Sequence, residues 1–492
     1  MSGPAAAAAT APAAAEARPA PEPDDAAQAV VSLYARQKKI YPRAVSGWFA
    51  RWRWALVWAT QLVFYGLPWL PWNGRQAVLF DLAARRFYIF DLVLYPQDFI
   101  YLTGLLVVSA YALFLFTAVA GRLWCGYACP QTVYTEIFLA IERWFEGDRM
   151  ARMRLDAGPW RFDRLWRKAG KQAGWIAIGL WTGLTFVGYF SPIRTLLAEA
   201  AGLALGPWET FWILFYGFAT YGNAGYMREQ VCKYMCPYAR FQSAMFDHDT
   251  LIISYDAARG DPRGTRSRRL DARSQGLGDC IDCGLCVQVC PTGIDIRDGL
   301  QYDCIGCTAC IDVCNGVMDK MRYPRGLIRY ATQNGLARRL TRTQMLRSVA
   351  RPRVLVYTAI LAVIGTALVA SLALRSPLRV DVVRDRAALA RWVEGGQLEN
   401  VYRLQLMNAT ERPQRLRIAA QGLPGLHLAR AAELRVGPAQ AQWVTVELRL
   451  PADAAQAAGA GVHPIHFEIE RPAGDGDVPL RLQEKSTFVV PQ

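Results

Sequence analysis

The sequence contains only four histidines, and it lacks the glycine-rich motifs that bind nucleotides. The histidines are His248, His427, His463 and His466, and all of them lie outside the long apolar runs. They cannot form the facing pairs that hold haem in a membrane bundle, which excludes a dihaem quinol oxidase. No G-x-G-x-x-G follows a strand and no G-x-x-x-x-G-K-[ST] occurs, so neither a Rossmann site nor a P-loop is supported. Any electrons must therefore arrive from a partner or a small carrier.

Long apolar runs indicate a membrane protein with soluble parts. The 492 residues are 53% hydrophobic, which is high for a chain that also carries so many charges. Each run can span roughly 30 Å of hydrocarbon as a helix. The five runs are residues 54–74, 99–121, 172–193, 210–227 and 354–374. We therefore expect a bundle of about five transmembrane helices in a lipid bilayer.

The basic residues predict the orientation of these spans, because translocation disfavours positive charge in short loops near helix ends. Lysine and arginine are concentrated before the first run, from Arg143 to Lys171, and from Arg228 to Arg353. Five spans with the N-terminus inside fit this alternation, and they place the chain from Arg375 onward outside. Charge sorting and anionic lipid explain the net charge of +15, so no nucleic-acid partner is expected.

No cysteine follows Cys314, so the predicted external segment has none. All twelve cysteines lie between Cys125 and Cys314, in or beside the segments predicted to be inside. A protein built on disulfides would show the reverse distribution, because disulfides persist in oxidising compartments. The sequence therefore predicts that these thiols are metal ligands or redox groups.

Eight of the cysteines form two runs with the spacing of a bacterial ferredoxin, C-x2-C-x2-C-x3-C. Three cysteines of each run ligate one [4Fe-4S] cluster, while the fourth reaches the other cluster. The predicted ligand sets are Cys280, Cys283, Cys286 and Cys314 for one cluster, and Cys290, Cys304, Cys307 and Cys310 for the other. Zinc is the alternative, although zinc frameworks rarely repeat four cysteines at these intervals. Asn315 replaces the proline after the second run, which we expect to alter the turn there without removing a ligand.

The remaining four cysteines form two C-x3-C-P motifs, each at the inner end of an even-numbered apolar run. They are Cys125, Cys129, Cys232 and Cys236. On a helix, residues i and i+4 face the same side, and the proline favours a break after the second thiol. Two such pairs brought together offer four soft ligands, which suit Cu(I), zinc or an iron-sulfur site. The alternative is a set of inert, buried cysteines that only pack, but the repeated proline favours a metal site.

Beyond about Val401 the sequence changes to short alternating stretches separated by turn residues. Period-two alternation with glycine and proline between the stretches predicts a small β-sandwich. His463 and His466 form H-x2-H, which could bind copper from outside, although ordinary surface histidines are the better interpretation. Asn408 begins a match to the glycosylation sequon, a pattern that is common by chance.

These patterns divide the chain into five parts, and residues 1–30 show no signal peptide. The parts are a disordered, basic N-terminus (1–50), a four-helix membrane region with both C-x3-C-P motifs (51–250), an α+β ferredoxin-like domain (251–345), a fifth transmembrane helix (350–376) and an external β-sandwich (377–492).

The order of these parts, together with the sequence CPTGIDIRDGLQY from Cys290 to Tyr302, resembles the CcoG family, also called FixG or RdxA. These are the cytochrome c oxidase accessory proteins, and the resemblance covers nearly the whole chain. It implies a multi-pass protein of the bacterial inner membrane, with its N-terminus and ferredoxin domain in the cytoplasm and an immunoglobulin-like domain in the periplasm. It also implies a role in maturation of cbb3-type oxidase through reduction of Cu(II) to Cu(I), with assembly factors or copper carriers as partners.

Three hypotheses follow for the function. In the first, electrons pass from an unknown cytoplasmic donor through the clusters to copper held near the four C-x3-C-P cysteines, which makes the protein a cupric reductase. In the second, the protein is an electron-transfer subunit that exchanges electrons with quinone, resembling the membrane ferredoxins of periplasmic nitrate and nitrous-oxide reduction. In the third, it is a copper-binding scaffold whose clusters are structural.

Overall fold

The computed structural model describes residues 39–268, 275–347, 349–385, 389–472 and 479–492. The chain separates into two compact units, residues 1–40 and 41–492. The first unit lies almost entirely outside the described residues, and so does the predicted tail over residues 1–30. All elements below belong to the second unit.

Helices dominate the chain up to residue 245. They are α1 (Trp48–Gly66), α2 (Phe99–Ala120), α3 (Leu123–Tyr127), α4 (Pro130–Glu146), α5 (Arg149–Ala157), α6 (Phe162–Val187), α7 (Ile193–Ala201), α8 (Pro207–Gly222), α9 (Arg228–Gln230) and α10 (Pro237–Met245). Two π-helical segments, Asn223–Met227 and Val231–Met235, flank α9.

Two helical segments are long and apolar enough to cross a membrane by length and composition. They are Pro96–Ala120, which contains α2, and Pro352–Ala373, which is α16. The two pack antiparallel, because the Tyr101 hydroxyl near the start of α2 donates to the Ser371 carbonyl near the end of α16, at 3.2 Å. Almost none of the residues in their most apolar stretches are buried inside the protein, as expected of helices that face lipid.

The expectation of about five such helices is wrong for the described residues. Helix α1 has 19 residues, carries Arg51 and Arg53, and ends at Gly66, so the apolar run over 54–74 continues into a 3-10 turn and a short strand. The first half of α6 is polar, and α8 has 16 residues before the backbone becomes π-helical. The number of spans was overestimated because the length of an apolar run does not show where a helix ends.

The ferredoxin-like part is a small α+β domain. Its elements are β6 (Ile252–Tyr255), α11 (Ala257–Gly260), α12 (Leu285–Gln288), α13 (Ala309–Met321), β7 (Ile328–Ala331), α14 (Gln333–Ala337) and α15 (Arg342–Arg347). The candidate membrane span α16 (Pro352–Ala373) follows the domain. Strands β6 and β7 pair antiparallel, with Ile253 opposite Tyr330. The core between the strands and α13 includes Ile253, Ile311 and Met318.

The C-terminal part is the β-sandwich that the alternating pattern predicted. Its elements are β8 (Leu378–Arg384), β9 (Arg391–Val393), β10 (Gln397–Asn408), β11 (Gln414–Gln421), β12 (His427–Leu428), β13 (Ala432–Val436), β14 (Ala441–Leu450), α17 (Ala452–Ala458), β15 (Gly461–Arg471) and β16 (Leu480–Val490). One sheet has the order β12-β14-β10-β8, with β9 also on β10, and the other has the order β13-β11-β15-β16. Leu404, Leu406, Phe467 and Phe488 fill the core between them.

Two small sheets that the sequence did not predict precede α2. One pairs β1 (Pro71–Trp72) with β2 (Arg75–Gln76), and the other has the order β3 (Val78–Asp81), β4 (Arg86–Ile89), β5 (Leu92–Leu94) and packs on this sandwich. The hydroxyl of Tyr95 donates to the carbonyl of Asn408 at 2.9 Å, and Arg375 forms an ion pair with buried Asp98. The segment before α2 and the C-terminal sandwich therefore lie on one side of the molecule.

The structure excludes two candidate sites on the sandwich, a copper site and a glycosylation site. His463 and His466 are three residues apart on β15, and an odd separation on a strand puts side chains on opposite faces. They are separate histidines, so the H-x2-H copper site is excluded. The side chain of Asn408 is buried and donates to the carbonyls of Arg412 and Gly437, at 2.7 and 2.9 Å, so the sequon is inaccessible in the folded chain.

Candidate redox site

Cysteines from both ferredoxin runs line a first cavity. They are Cys280, Cys283, Cys286 and Cys314. Cys280 and Cys283 lie on a loop that turns at Gly284 (φ 63°) into α12, which carries Cys286, and this left-handed conformation favours glycine. Cys314 comes from α13, so the cavity joins the two runs. This is the grouping that cross-over ligation of one cluster requires.

A second cavity is lined by the other four ferredoxin cysteines, and Cys286 lines both cavities. The other four are Cys290, Cys304, Cys307 and Cys310. Its remaining walls are mainly isoleucines, namely Ile253, Ile294, Ile296 and Ile305. Cys290 belongs to the first run and the other three belong to the second, so this cavity also joins the two runs.

The expectation that Asn315 alters a turn after Cys314 is wrong. Helix α13 continues without interruption to Met321, so no turn follows the second run. The side-chain oxygen of Asn315 accepts the N–H of Gly326 at 3.0 Å and ties the helix to the segment leading into β7.

The donors of both cavities fit a [4Fe-4S] cluster. Each cavity offers at least four thiols, the ligands that such clusters take. Burial raises the pKa of Cys286 and of Cys304 to about 11, so their thiolates need a nearby positive charge such as bound iron. When bound, the clusters supply one-electron transfer.

The four C-x3-C-P cysteines, here called the membrane-edge thiols, occupy matching places in the two motifs. Cys125 lies on α3 and Cys232 lies on the π-helical segment Val231–Met235. Cys129 and Cys236 are both extended N-cap residues, each followed by a proline at the first position of a helix, α4 or α10. The break after the second thiol therefore occurs as the proline predicts.

The membrane-edge thiols lie within electrostatic reach of one another. Burial, together with neighbouring Cys129 and Cys232, raises the pKa of Cys125 to about 12. Burial, together with Cys129 and Cys236, raises the pKa of Cys232 to about 11. Thiols whose pKa is raised by neighbouring thiols gain from a shared cation. Among the described residues, however, no three Cys, His, Asp or Glu side chains meet closely enough to hold a single metal ion.

The membrane-edge thiols lie directly against the second cavity. Cys125 and Cys232 pack against the apolar cluster that contains Ile305 and Cys307. A Cβ at Gly126 would lie 2.5 Å from the carbonyl oxygen of Gly306, so the two loops touch through their backbones. Only glycine permits this approach.

Further contacts fasten the two groups of thiols together. The hydroxyls of Tyr127 and Thr308 are 2.7 Å apart. Lys233, the residue after Cys232, donates to the carbonyl of Thr292 at 3.1 Å and forms a 3.3 Å ion pair with Asp303. The first cavity is lined by none of the residues that make these contacts, so the second is the nearer one to the membrane-edge thiols.

Sequence reasoning missed Asp312, which anchors α1 to the ferredoxin-like domain. Its buried carboxylate accepts the backbone N–H groups of Phe49 (3.3 Å) and Ala50 (2.7 Å), in the first turn of α1. A carboxylate at a helix N-terminus satisfies free N–H groups and complements the helix dipole. No local pattern signals this contact, because its partners are 262 residues apart.

Replacing Asp312 with alanine should loosen the start of α1. The loss of a capping acceptor costs about 1–2 kcal/mol, so we expect the amides of Phe49 and Ala50 to exchange hydrogen about 5- to 30-fold faster. Native-state hydrogen exchange measures this. Asp319→Ala is the matched control, because Asp319 lies on the same helix and pairs only with exposed Arg325 among the described residues. Equal acceleration in both variants would contradict the anchoring role.

Family models and a solved structure match parts of the chain. Residues 227–333 match the family described as "4Fe-4S dicluster domain", residues 102–147 match "4Fe-4S binding domain", and residues 368–491 match an "IG-like fold at C-terminal of FixG". A crystal structure of a FixG-related protein from Vibrio parahaemolyticus covers 23% of this chain and 97% of that chain, with 21% identity and a TM-score of 0.20.

Similar curated proteins match most of the chain. Nitrogen fixation protein FixG of Rhizobium meliloti is 39% identical over 443 residues, covering 84% of this chain and 83% of that protein. Protein RdxB of Cereibacter sphaeroides is 43% identical over 385 residues, covering 77% of this chain and 80% of that protein. Protein RdxA of the same organism is 41% identical over 404 residues, covering 80% and 84%.

The thiol-lined cavities and the matches to iron-sulfur families define the class first: this is an iron-sulfur protein of the electron-transfer type, with helices of transmembrane length. Its cofactors are [4Fe-4S] clusters, and its C-terminal sandwich is immunoglobulin-like. Because relatives match it over most of their length and its own, the chain belongs to the FixG/RdxA family. The resemblance drawn from the sequence is thereby confirmed.

Proposed function

We propose that the protein reduces Cu(II) to Cu(I) with electrons from a cytoplasmic donor, in support of cbb3-type oxidase assembly. Electrons enter the ferredoxin-like domain, pass through two clusters and leave at the membrane-edge thiols. The observation that carries the proposal is the packing of Cys125 and Cys232 against the cluster of residues that contains Cys307. A one-electron donor beside soft thiolates is what cupric reduction requires.

The positions of the two cavities give the relay an order. In the proposal one cluster is held by Cys280, Cys283, Cys286 and Cys314, and the other by Cys290, Cys304, Cys307 and Cys310. The second set adjoins the membrane-edge thiols and the first does not, so the first accepts electrons from the donor. In the last step the second cluster loses one electron, and one Cu(II) gains it to become Cu(I).

The membrane-edge thiols favour this step because thiolate stabilises Cu(I) over Cu(II). In this proposal copper enters as a substrate. Copper carriers and oxidase assembly factors are the partners that would deliver Cu(II) or collect Cu(I).

We further propose that the protein crosses the bacterial inner membrane several times, with the ferredoxin-like domain in the cytoplasm and the sandwich in the periplasm. Helix α1 supports this, since Asp312 of the ferredoxin-like domain caps its first turn and its C-terminal end leads through a 3-10 turn into the sheet of β1 and β2. Helix α6 reaches the same sheet, where Gln76 donates to the carbonyl of Gly188 at 2.7 Å. The C-terminal end of α2, by contrast, lies at the ferredoxin-like domain. There the backbone N–H of Leu251, the residue before β6, donates to the carbonyl of Val119 at 3.0 Å.

Anaerobic EPR with and without Cu(II) tests the function. Chemically reduced protein should show two reduced [4Fe-4S] clusters, and added Cu(II) should oxidise them, with one Cu(I) captured by a chelator for each electron lost. A quinone analogue provides the comparison. Oxidation by the quinone and not by Cu(II) would contradict the proposal and favour the electron-transfer subunit. Clusters that cannot be reduced at cytoplasmic potentials would favour the scaffold.

A second candidate for the group at the membrane-edge thiols is a further iron-sulfur cluster. The match of residues 102–147 to a "4Fe-4S binding domain" favours it. The cysteines in that range are Cys125 and Cys129, so these two would be the cluster ligands that the match implies. A [4Fe-4S] cluster takes four cysteines, and Cys232 and Cys236 would complete the set. Iron analysis separates the two cases, since two clusters give about eight iron atoms per chain and three give about twelve.

A further inference from the structure

Two buried arginines lie against the second cavity, and only one of them has its charge balanced. Arg53 donates to the carbonyl of Cys307 at 2.9 Å, and its Nε is 3.4 Å from a carboxylate oxygen of Glu136. Arg122 is just as buried, each side chain belonging to a residue 5% exposed. Among the described residues Arg122 donates to the carbonyl of Ala239 and no carboxylate forms an ion pair with it, while the Nε of each arginine lacks a hydrogen-bond partner.

Arg122 lies between the second cavity and the membrane-edge thiols. It is the residue before α3, which carries Cys125. Its guanidinium carbon lies 5.7 Å from the ring centre of Tyr302, two residues before Cys304. A Cβ at Gly306 would lie 2.9 Å from the Arg122 carbonyl oxygen, so the backbone of Arg122 also rests on the cavity loop.

The charge of Arg122 reaches thiols on both sides. Burial raises the pKa of Cys304 in the second cavity, and Arg122 opposes that rise. Burial also raises the pKa of Cys125 and Cys232 at the membrane edge, and Arg122 opposes both. An unpaired guanidinium in a buried position is costly unless a negative charge compensates it. A cluster with four thiolates supplies such a charge.

We propose that Arg122 is a positioning residue for electron transfer, whose unpaired charge stabilises the reduced form of the cluster in the second cavity. The inference rests on the proposed function, because it requires that cluster to be the last carrier before copper. Reduction adds one electron, and so one negative charge, to a cluster that is already anionic. A fixed positive charge nearby in a medium of low dielectric constant favours that step and draws the electron from the first cluster toward the membrane edge.

Arg122→Gln should lower the reduction potential of this cluster and leave that of the other nearly unchanged. We expect the equilibrium constant of the one-electron reduction to fall about tenfold, which corresponds to about 59 mV. Arg122→Lys, which keeps the charge, should recover most of the shift. The double variant Arg53→Gln/Glu136→Gln is the matched control, because it removes a balanced pair without changing the net charge. An EPR-monitored redox titration under anaerobic conditions measures the reduction potentials of both clusters in the wild-type protein and in these three variants.

An unchanged potential in Arg122→Gln, or a Lys variant that behaves like the Gln variant, would overturn the proposal. Arg122→Met, which keeps the side-chain length without the charge, makes the same test if the Gln variant does not assemble its clusters. Loss of clusters in both neutral variants would assign the charge to assembly and would also overturn it. The titration contains no copper, so a wild-type protein unable to reduce Cu(II) would refute the proposed function while this shift stayed measurable.

Discussion

Replacing Cys232 and Cys236 with serine is expected to abolish cupric reduction while both clusters remain reducible. Serine keeps the size of the side chain but removes the soft ligand that favours Cu(I). Neither residue lines either ferredoxin cavity, so cluster assembly should survive. Changes outside a metal's direct ligands cost 10- to 100-fold, so loss of two ligands should cost at least about 100-fold. The rate of Cu(I) capture by a chelator, with reduced protein as donor, measures it.

Met235→Ala is the matched control for this experiment. Met235 lies between the two cysteines, but its side chain is 54% exposed and it is absent from the packing around Cys232. We expect this variant to reduce Cu(II) at close to the wild-type rate. Unchanged activity in the double serine variant, with clusters intact, would remove the membrane-edge thiols from the mechanism.

Cys290→Ser should remove the cluster of the second cavity, although Cys290 belongs to the first cysteine run. We expect iron content to fall by about half and cupric reduction to be lost, because the cluster next to the membrane-edge thiols is gone. Cys314→Ser should do the opposite and remove the cluster of the first cavity. Chemically reduced Cys314→Ser protein should still pass one electron to Cu(II). Iron analysis and EPR of the two variants provide the measurement.

The two variants together also test the order of the relay. If Cys290→Ser removed the signal of the first-cavity cluster instead, the cross-over ligation would be wrong. If Cys290→Ser still reduced Cu(II) while Cys314→Ser did not, the first cavity would be the outlet. The second result would contradict the proposal that electrons leave through the second cavity, where Cys125 and Cys232 pack.

The cysteine spacing predicts two sets of cluster ligands because ligand geometry is encoded locally. Four cysteines separated by two or three residues can reach one cluster only in a few ways, and both cavities combine Cys from the two runs as that geometry requires. The period-two pattern beyond Val401 predicted the sandwich for a similar reason, since strand alternation is also local. The proline after each second membrane-edge thiol likewise predicted the two helix starts.

Contacts between distant segments could not be predicted from the same patterns. Asp312 caps a helix that begins 264 positions earlier in the numbering at Trp48, and nothing in its own neighbourhood marks it. Arg122 stands beside a motif, yet its lack of an ion partner among the described residues is visible only once the chain is folded. The two small sheets formed by β1–β5 lie inside and after an apolar run, and short strands and a helix end share the same apolar composition.

Freeze-quench EPR with substoichiometric Cu(II) tests the central claim most directly. Fully reduced wild-type protein is mixed with Cu(II) under anaerobic conditions, and the two clusters are followed in time. The proposed route predicts that the cluster held by Cys290, Cys304, Cys307 and Cys310 is oxidised first and is then refilled from the other cluster, while the Cys232→Ser/Cys236→Ser variant loses neither signal. Oxidation of the other cluster first, or equally fast oxidation in the serine variant, would contradict it.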